Sequence, residues 1–152
     1  MSEGAAAVAT GPDAAVAFAA VHRLCFADEP WDADVFACLL SLPSSLALVE
    51  HRQGGLAGFV LCRLAADEAE VLTCAVDPAW RRRGIGSRLL ARVMAANRQR
   101  GIRHVFLEVA VDTPAAQALY LQCGFRPVGR RRQYYQRADG TGVDAIVMRM
   151  DL

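Results

Sequence analysis

The residues best suited to chemistry lie in one turn, Val76-Asp77-Pro78-Ala79-Trp80-Arg81-Arg82-Arg83-Gly84-Ile85-Gly86-Ser87. Asp-Pro ends a strand, and an amphipathic helix begins directly after two glycines that carry no Cβ to obstruct a ligand. The first backbone N–H groups of such a helix have no partners within it, and the helix dipole adds positive potential there. The turn therefore predicts an anion site, with phosphate as the usual occupant.

Two common phosphate loops do not fit this turn. The dinucleotide-binding fingerprint needs a glycine three residues after Gly86, and that position is Leu89. The Walker loop needs a lysine, and the sequence contains none. What remains is Arg81-x-x-Gly84-x-Gly86, a pattern that by itself fits either a cofactor loop or a plain glycine-rich turn.

Glu108 is a second candidate, because it lies in the middle of an otherwise apolar strand. A carboxylate there loses hydration unless something compensates for the loss. It is either structural, facing water or paired with an arginine, or it is a general base. Tyr120 follows on the next predicted helix, where it is either a core residue or a proton donor. The sequence pattern leaves these alternatives open.

The elements that would position these groups alternate in a way that predicts one sheet. Strands are expected near residues 6–9 and at 46–51, 56–64, 69–76, 103–111, 125–131 and 142–150. Helices are expected from 11–13 to about 26, from an Asp32 cap to before Pro43, at 87–100, and from 112–114 to 124. This order predicts an α/β (α+β) fold, a central mixed β-sheet flanked by helices on both faces. The 152 residues suit a single domain, 1–152.

The composition excludes several classes of protein. A hydrophobic content of 54% with a net charge of +1 does not describe a disordered chain. No apolar run approaches the ~20 residues that span a bilayer, and the alanine-rich start lacks the basic residues of a signal peptide. The 5 cysteines are odd in number and no two have Cys-x-x-Cys spacing, which indicates a reducing cytoplasm. The scattered histidines form no zinc pattern, so no metal is expected.

The distribution of charge suggests what the protein binds. Arginines gather at 81–83 and 130–132, and acidic residues at 28–34 and 67–70, as expected of a groove for a polyanionic cofactor beside an acidic mouth for a cationic acceptor. Arginines 130–132 next to two tyrosines could instead grip single-stranded nucleic acid. The near-neutral net charge and the absence of lysine argue against that interpretation.

Taken together, several segments resemble the GCN5-related N-acetyltransferase (GNAT) family, and within it the RimI-like N-terminal-alanine acetyltransferases of ribosomal proteins. The resemblance covers roughly residues 25–150 and is carried by residues 81–87, Leu107-Glu108-Val109, Ala118-Leu119-Tyr120, Cys123-Gly124-Phe125, Pro30-Trp31 and the tail from Arg131 to Met148. Tyr134-Tyr135, Asp139-Gly140 and Asp144-Ala145-Ile146 make that tail more particular than the glycine loop. The resemblance implies the GNAT-like acyl-CoA N-acyltransferase fold and acetyl-CoA as co-substrate.

The resemblance also implies roles for individual residues. Glu108 matches the family's proton acceptor and Tyr120 its proton donor. The positions that match the coenzyme site are Cys74, Ala75, Val76, Arg81, Arg82, Arg83, Gly84, Ile85, Gly86, Ser87 and Thr113. The positions that match the acceptor mouth are Trp31, Tyr134 and Tyr135. Two positions depart from the family's pattern: Thr113 replaces the usual asparagine, and Ala110 a common arginine.

The implied partners are acetyl-CoA and the N-terminal α-amine of a protein, with a ribosomal protein as one candidate. An α-amino group titrates near ~8 and a lysine near ~10.4, so a single glutamate is the more adequate base for an N-terminus. Two alternatives remain open: acetylation of a lysine or a small-molecule amine, and a non-catalytic acyl-CoA-binding module in which Glu108 and Tyr120 are structural. No nucleic-acid or membrane partner is expected, and the protein is expected to be a monomer or weak homodimer.

Overall fold

The computed structural model describes residues 7–9 and 11–152, which form one mixed sheet with helices packed against it. The strands are β1 (Ala7–Val8), β2 (Ser45–Arg52), β3 (Gly55–Ala65), β4 (Glu68–Val76), β5 (His104–Ala110), β6 (Arg126–Gln136) and β7 (Gly142–Asp151). The helices are α1 (Pro12–Cys25), α2 (Ala33–Leu40), α3 (Ile85–Gln99) and α4 (Pro114–Cys123). A 3-10 turn, Pro78–Trp80, joins β4 to the loop before α3.

The strand order is β1-β2-β3-β4-β5-β7-β6, and every neighbouring pair is antiparallel except β4 with β5. The predicted mixed sheet is therefore confirmed. The short strand expected near residues 6–9 is β1, which pairs with β2; residue 6 lies outside the described part of the chain. Among the described residues, no helix is long and apolar enough to cross a membrane.

Each face of the sheet carries its own core. Helices α3 and α4 cover one face, where Leu89, Leu90 and Val93 of α3 pack against apolar residues of the strands. Helices α1 and α2 cover the other face, where the rings of Phe18, Phe36 and Phe59 pack against one another. Helices on both faces are what the order of elements predicted.

The parallel pair β4 and β5 separates halfway along its length. Their ladder runs from Glu68 opposite His104 to Val71 opposite Leu107 and goes no further. At the same level β4 shifts register against β3, which leaves Leu72 as an extra, bulged residue. Residues 73–76 of β4 and 108–110 of β5 therefore bound an opening in the sheet, here called the gap.

Strand β6 is longer than predicted. It continues to Gln136 because Tyr135 and Gln136 still pair with Val143 and Gly142 of β7, after a register shift between Arg131 and Tyr135. Both tyrosines of the predicted acceptor mouth therefore lie within β6, and the strand expected at 125–131 was too short. The predicted Asp32 cap is confirmed, since its Oδ1 accepts from the N–H of Val35 at 3.0 Å.

Candidate active site

The turn between β4 and α3 has the geometry expected of an anion site. Asp77 caps its 3-10 segment by accepting from the N–H of Ala79 at 2.9 Å. Arg82 and Gly84 have φ angles of +63° and +74°, and Gly84 is the N-cap of α3. The N–H of Arg88 donates to the carbonyl of Gly84 at 3.0 Å, so the three amides before it precede the first bond of the helix. No described side chain caps α3, and its first turn holds no acidic residue.

Close packing favours glycine at both positions of this turn, and the positive φ favours it at Gly84 as well. A Cβ on Gly86 would lie 3.2 Å from the Leu119 side chain of α4, and one on Gly84 would lie 3.1 Å from a guanidinium nitrogen of Arg88. The arginines bring positive charge: the guanidinium of Arg83 lies over the Trp80 ring at 5.1 Å, and Arg81 reaches the sulfur of Cys25 at 3.5 Å. Free amides, a helix N-terminus and nearby arginines fit a diphosphate.

The end of β4 exposes backbone groups to the gap. The N–H of Asp77 donates to the carbonyl of Ala57 on β3, and backbone groups alternate in direction along a strand. The N–H of Val76 therefore points away from β3, towards the gap. The neighbouring thiol of Cys74 is not a candidate nucleophile, because burial, reinforced by nearby ionisable groups, raises its pKa to about 12.

Glu108 borders the gap from β5. Its side chain is 12% exposed and its Oε1 lies 2.9 Å from the Nε of Arg131 on β6. The Tyr134 hydroxyl also hydrogen-bonds this carboxylate; burial first and this bond second raise the pKa of Tyr134. The Tyr135 hydroxyl donates to the Glu108 backbone carbonyl at 3.2 Å. The pairing with an arginine that the sequence left open is thus present. Both tyrosines of the predicted acceptor mouth also contact Glu108, Tyr134 at its carboxylate and Tyr135 at its backbone carbonyl.

An open groove of about 290 Å³ leads to Glu108 on the same sheet face as α1 and α2, over strands that those helices do not cover. Three acidic residues, Glu68, Glu70 and Glu108, line it, together with Arg63 and Arg131. Glu70 pairs with Arg63 at 3.3 Å. The groove is therefore lined by charged side chains from β3, β4, β5 and β6, with three carboxylates against two guanidinium groups, a setting for a polar, cationic group.

Tyr120 lies on the opposite face of the gap. Val105, Leu107 and Val109 of β5 face the α3/α4 core, so Glu108 faces the other way, whereas Tyr120 packs against that core. Burial raises the pKa of the Tyr120 hydroxyl, and neighbouring Cys74, Tyr135 and Cys123 raise it further. The hydroxyl therefore holds its proton at neutral pH, as a proton donor must.

Trp31 lies in the loop between α1 and α2, with its ring turned towards the α1/α2 core. The backbone N–H of Trp31 donates to Nδ1 of His22 at 3.0 Å, and the two rings stack with their centroids 5.1 Å apart. Burial lowers the pKa of His22 to about 4, so the imidazole is neutral and accepts this bond. The same loop is tied to the β6–β7 hairpin, because Glu29 accepts from the N–H of Gln136 at 2.7 Å. The structure thus places Trp31 in a loop that contacts the hairpin, and a role in binding the acceptor stays a prediction.

Thr113 lies apart from the anion turn, at the carboxyl end of β5. It is the N-cap of α4, as predicted from Pro114, but its side chain makes no capping bond. The hydroxyl instead donates to the carbonyl of Ala110 at 2.7 Å, and Gln117 donates to the same oxygen at 3.0 Å. A coenzyme contact from Thr113 stays a prediction, and its hydroxyl proton is already engaged.

Sequence reasoning missed two polar groups of this region. Arg131 was noted only within the arginine cluster 130–132 and the tail motif, and its contact with Glu108 depends on the β5–β7–β6 pairing that the sequence does not display. Thr73, at the bulge of β4, is 7% exposed and its hydroxyl has no hydrogen-bond partner within the described residues. Across residues 7–9 and 11–152, no three His, Cys, Asp or Glu side chains assemble into a group that could hold a metal ion.

Comparison with known proteins agrees with this geometry. Residues 15–125 match the family model of the acetyltransferase (GNAT) family. The chain is 40% identical over 133 residues to the N-alpha-acetyltransferase RimI of Mycobacterium tuberculosis, and this alignment covers 85% of the chain and 80% of that protein.

Solved structures are similar as well. The ribosomal-protein-S18-alanine N-acetyltransferase from Escherichia coli superposes with a TM-score of 0.86 at 30% identity, over 97% of this chain and 94% of the other. Arabidopsis thaliana NAA60 in complex with acetyl-CoA superposes with a TM-score of 0.82 at 19% identity, over 97% of this chain and 99% of the other. At that identity the similarity is one of fold. The family match and these identities confirm the resemblance predicted from the glycine turn and the tail. The chain belongs to the GNAT family of acetyltransferases.

Proposed function

We propose that the protein transfers the acetyl group of acetyl-CoA to the N-terminal α-amine of a protein, of the ribosomal-protein alanine type. The observation that carries this proposal is the placement of Glu108 and Tyr120 on opposite faces of the gap, beside an anion-binding turn. The thioester lies in the gap, its diphosphate at residues 81–87 on what we call the coenzyme side. The amine enters from the groove that reaches Glu108, the acceptor side.

The reaction is a direct attack of the neutral amine on the thioester carbonyl carbon. As the N–C bond forms, the amine proton passes to the Glu108 carboxylate, directly or through a water. As the C–S bond breaks, Tyr120 gives its proton to the leaving sulfur. The Val76 N–H stabilises the negative charge that develops on the carbonyl oxygen. Holding both reactants in one opening supplies much of the acceleration.

A direct attack is favoured over an acetyl-cysteine intermediate by the state of the nearby thiols. Burial raises the pKa of Cys74 to about 12 and also raises the pKa of Cys123, so both thiols stay protonated and weakly nucleophilic. The acidic lining of the groove supports a cationic acceptor. The activity of the similar Escherichia coli enzyme, alanine N-acetylation of ribosomal protein S18, supports an N-terminal acceptor in particular.

The test uses matched peptides and mass spectrometry of the products. One peptide begins with alanine and contains no lysine, the second has the same sequence with an acetylated N-terminus, and the third is N-terminally blocked but contains a lysine. We expect acetylation of the first alone, with coenzyme A released in equal amount. Acetylation of the blocked lysine peptide would assign the protein to lysine acetylation, and coenzyme binding without any product would assign it to the non-catalytic module.

A further inference from the structure

A buried carboxylate outside the reacting groups contacts the anion turn through one arginine. Glu50, near the end of β2, has no exposed side-chain surface. The β2–β3 register shifts between Glu50 and His51. The Glu50 side chain faces α3, where it meets guanidinium groups. A carboxylate removed from water in this way is tolerated only when charged partners satisfy it.

Arg88 of α3 is the main partner of Glu50. Its Nε and Nη2 donate to the two carboxylate oxygens at 3.0 and 2.9 Å, the bidentate arrangement that only a guanidinium makes. Arg52 approaches the same carboxylate at 3.0 Å, and Arg92 at 3.7 Å. Burial alone would raise the pKa of Glu50, but the bond and charge of Arg88, with Arg52 and Arg92, outweigh it and lower that pKa. The carboxylate is therefore a permanent anion.

The remaining guanidinium nitrogen of Arg88 reaches the anion turn itself. Nη1 donates to the backbone carbonyl of Arg83 at 2.9 Å. In a planar trans peptide the carbonyl and the next N–H point in opposite directions. Holding the Arg83 carbonyl towards Arg88 therefore directs the N–H of Gly84 away from the Arg88 guanidinium. This peptide lies between Arg82 and Gly84, the two residues with positive φ, so its orientation is one that the chain does not adopt by default.

We infer that Glu50 and Arg88 are positioning residues for the diphosphate of the coenzyme. Glu50 fixes the guanidinium plane, and the guanidinium fixes the Arg83–Gly84 peptide, so that its N–H joins the free amides at the start of α3. Neither side chain needs to touch the ligand for this role. The inference rests on the proposed binding of acetyl-CoA at residues 81–87.

The experiment compares two acetyl donors, acetyl-CoA and acetyl-pantetheine, which lacks the diphosphate. Arg88→Gln removes the fork, and Arg88→Lys keeps the charge but cannot bond both Glu50 and the Arg83 carbonyl in the same way. We expect both variants to weaken the calorimetric affinity for coenzyme A about tenfold, the usual loss when a charge-assisted hydrogen bond is removed. The kcat/KM with acetyl-pantetheine should stay near the wild-type value.

Arg52→Gln is the matched control, because Arg52 pairs with the same carboxylate but directs its other bond to the His51 carbonyl. It should leave the affinity for coenzyme A within about twofold of wild type, since Arg52 makes no bond to the anion turn and Arg88 still holds both the carboxylate and the Arg83 carbonyl. Glu50→Gln should behave like the Arg88 variants. If it does not fold, Arg88→Gln and Arg88→Lys are sufficient to test the inference.

The outcomes separate this inference from the proposed function. A wild-type protein that binds no coenzyme A would overturn both. Wild-type binding with unchanged affinity in Arg88→Gln would overturn the inference alone. Full affinity in Arg88→Lys would also overturn the inference, since charge alone would then be sufficient. So would an equal loss of activity with acetyl-pantetheine and acetyl-CoA, since the variants would then be damaged in general and not at the diphosphate site.

Discussion

The two sides of the gap differ in whether main-chain groups or side chains form them. The coenzyme side consists of main-chain amides, glycines packed against Leu119 and Arg88, and a guanidinium anchored to a fully buried carboxylate. The acceptor side consists of side chains: Glu108, its exposed partner Arg131, and Tyr134 on a strand whose residues are almost all exposed. Backbone geometry suits a coenzyme that never changes, whereas side chains on an exposed strand suit an acceptor that varies among related enzymes.

Glu108→Gln is the change that tests the acceptor side most directly. The amide cannot accept a proton from the amine, so we expect kcat to fall about 10²–10⁴-fold, the usual contribution of a positioned base. The affinity for acetyl-CoA should stay unchanged, because Glu108 faces the groove rather than the anion turn. Steady-state thiol release and calorimetry measure the two quantities separately.

Glu70→Gln is the control for that measurement, since Glu70 lines the same groove and pairs with Arg63. It removes the same charge without removing the base, and kcat should change only slightly. An equal loss of kcat in both variants would mean that groove charge, not proton transfer, explains the effect.

Tyr120→Phe tests the other face of the gap. A thiol of pKa about 8.5 leaves as a fairly stable thiolate, so the missing proton should matter less than the missing base; we expect kcat to fall roughly 10–100-fold. The phenylalanine ring keeps the edge-to-face contact with Phe125, at 6.0 Å between centroids, so the fold should be retained. A kcat equal to that of wild type, with an unchanged melting temperature, would remove Tyr120 from the mechanism.

The sequence displayed the turn on the coenzyme side but not the side-chain pairing on the acceptor side, for a physical reason. A turn that requires positive φ at Gly84 and no Cβ at Gly86 leaves its mark in residue types at fixed spacing. Glu108 was conspicuous because a carboxylate is rare in an apolar strand. The Glu108–Arg131 pair depends on two strands meeting β7 from either side, and no local pattern records that.

Other features left no local signal. The bulge at Leu72 opens the gap, yet neither glycine nor proline marks it. The length of β6 was underestimated because its arginine-rich residues are exposed at the edge of the sheet and show no apolar alternation. The role of Arg88 was hidden because its partner Glu50 lies on another strand, distant in sequence.

Acid should destabilise the folded protein through His22. Its pKa is about 4 in the folded protein, against 6.5 for an unperturbed histidine, so the unfolded chain binds the extra proton first. This contribution to stability is complete above pH 6.5 and is lost as the pH falls towards 4, amounting to about 2 kcal/mol by pH 5. Urea unfolding at pH 7 and pH 5 measures the loss.

His22→Asn sharpens this test, because an amide oxygen can replace Nδ1 as the acceptor for Trp31 but does not titrate. The variant should lose less stability between the two pH values than wild type. His51→Asn, at an exposed position, should keep the wild-type dependence. Parallel curves for wild type and His22→Asn would contradict the assignment.

Gly84→Ala tests whether the coenzyme side is set by backbone conformation. An alanine at φ +74° is strained by about 1–2 kcal/mol, so the turn should relax and the affinity for coenzyme A should fall about 5–30-fold. Gly140→Ala is the matched control: φ there is +84°, and nothing lies within 4 Å of the added Cβ. It should show a similar loss of stability with no change in affinity, and a loss of affinity in both would count against a specific role for the turn.

Arg131→Ala should have the smallest effect, and its direction is informative. The guanidinium occupies the Glu108 carboxylate that the acceptor's amine must reach, so its removal should lower the KM for the acceptor peptide. Because Arg131 is largely exposed, the pair contributes about 0.2–1 kcal/mol, which limits the change to about fivefold. Arg132→Ala, a neighbouring exposed arginine, should leave KM unchanged. A KM that rises instead would mean that Arg131 holds Tyr134 in place through the contact between its guanidinium and that ring at 5.3 Å, and so helps to bind the acceptor.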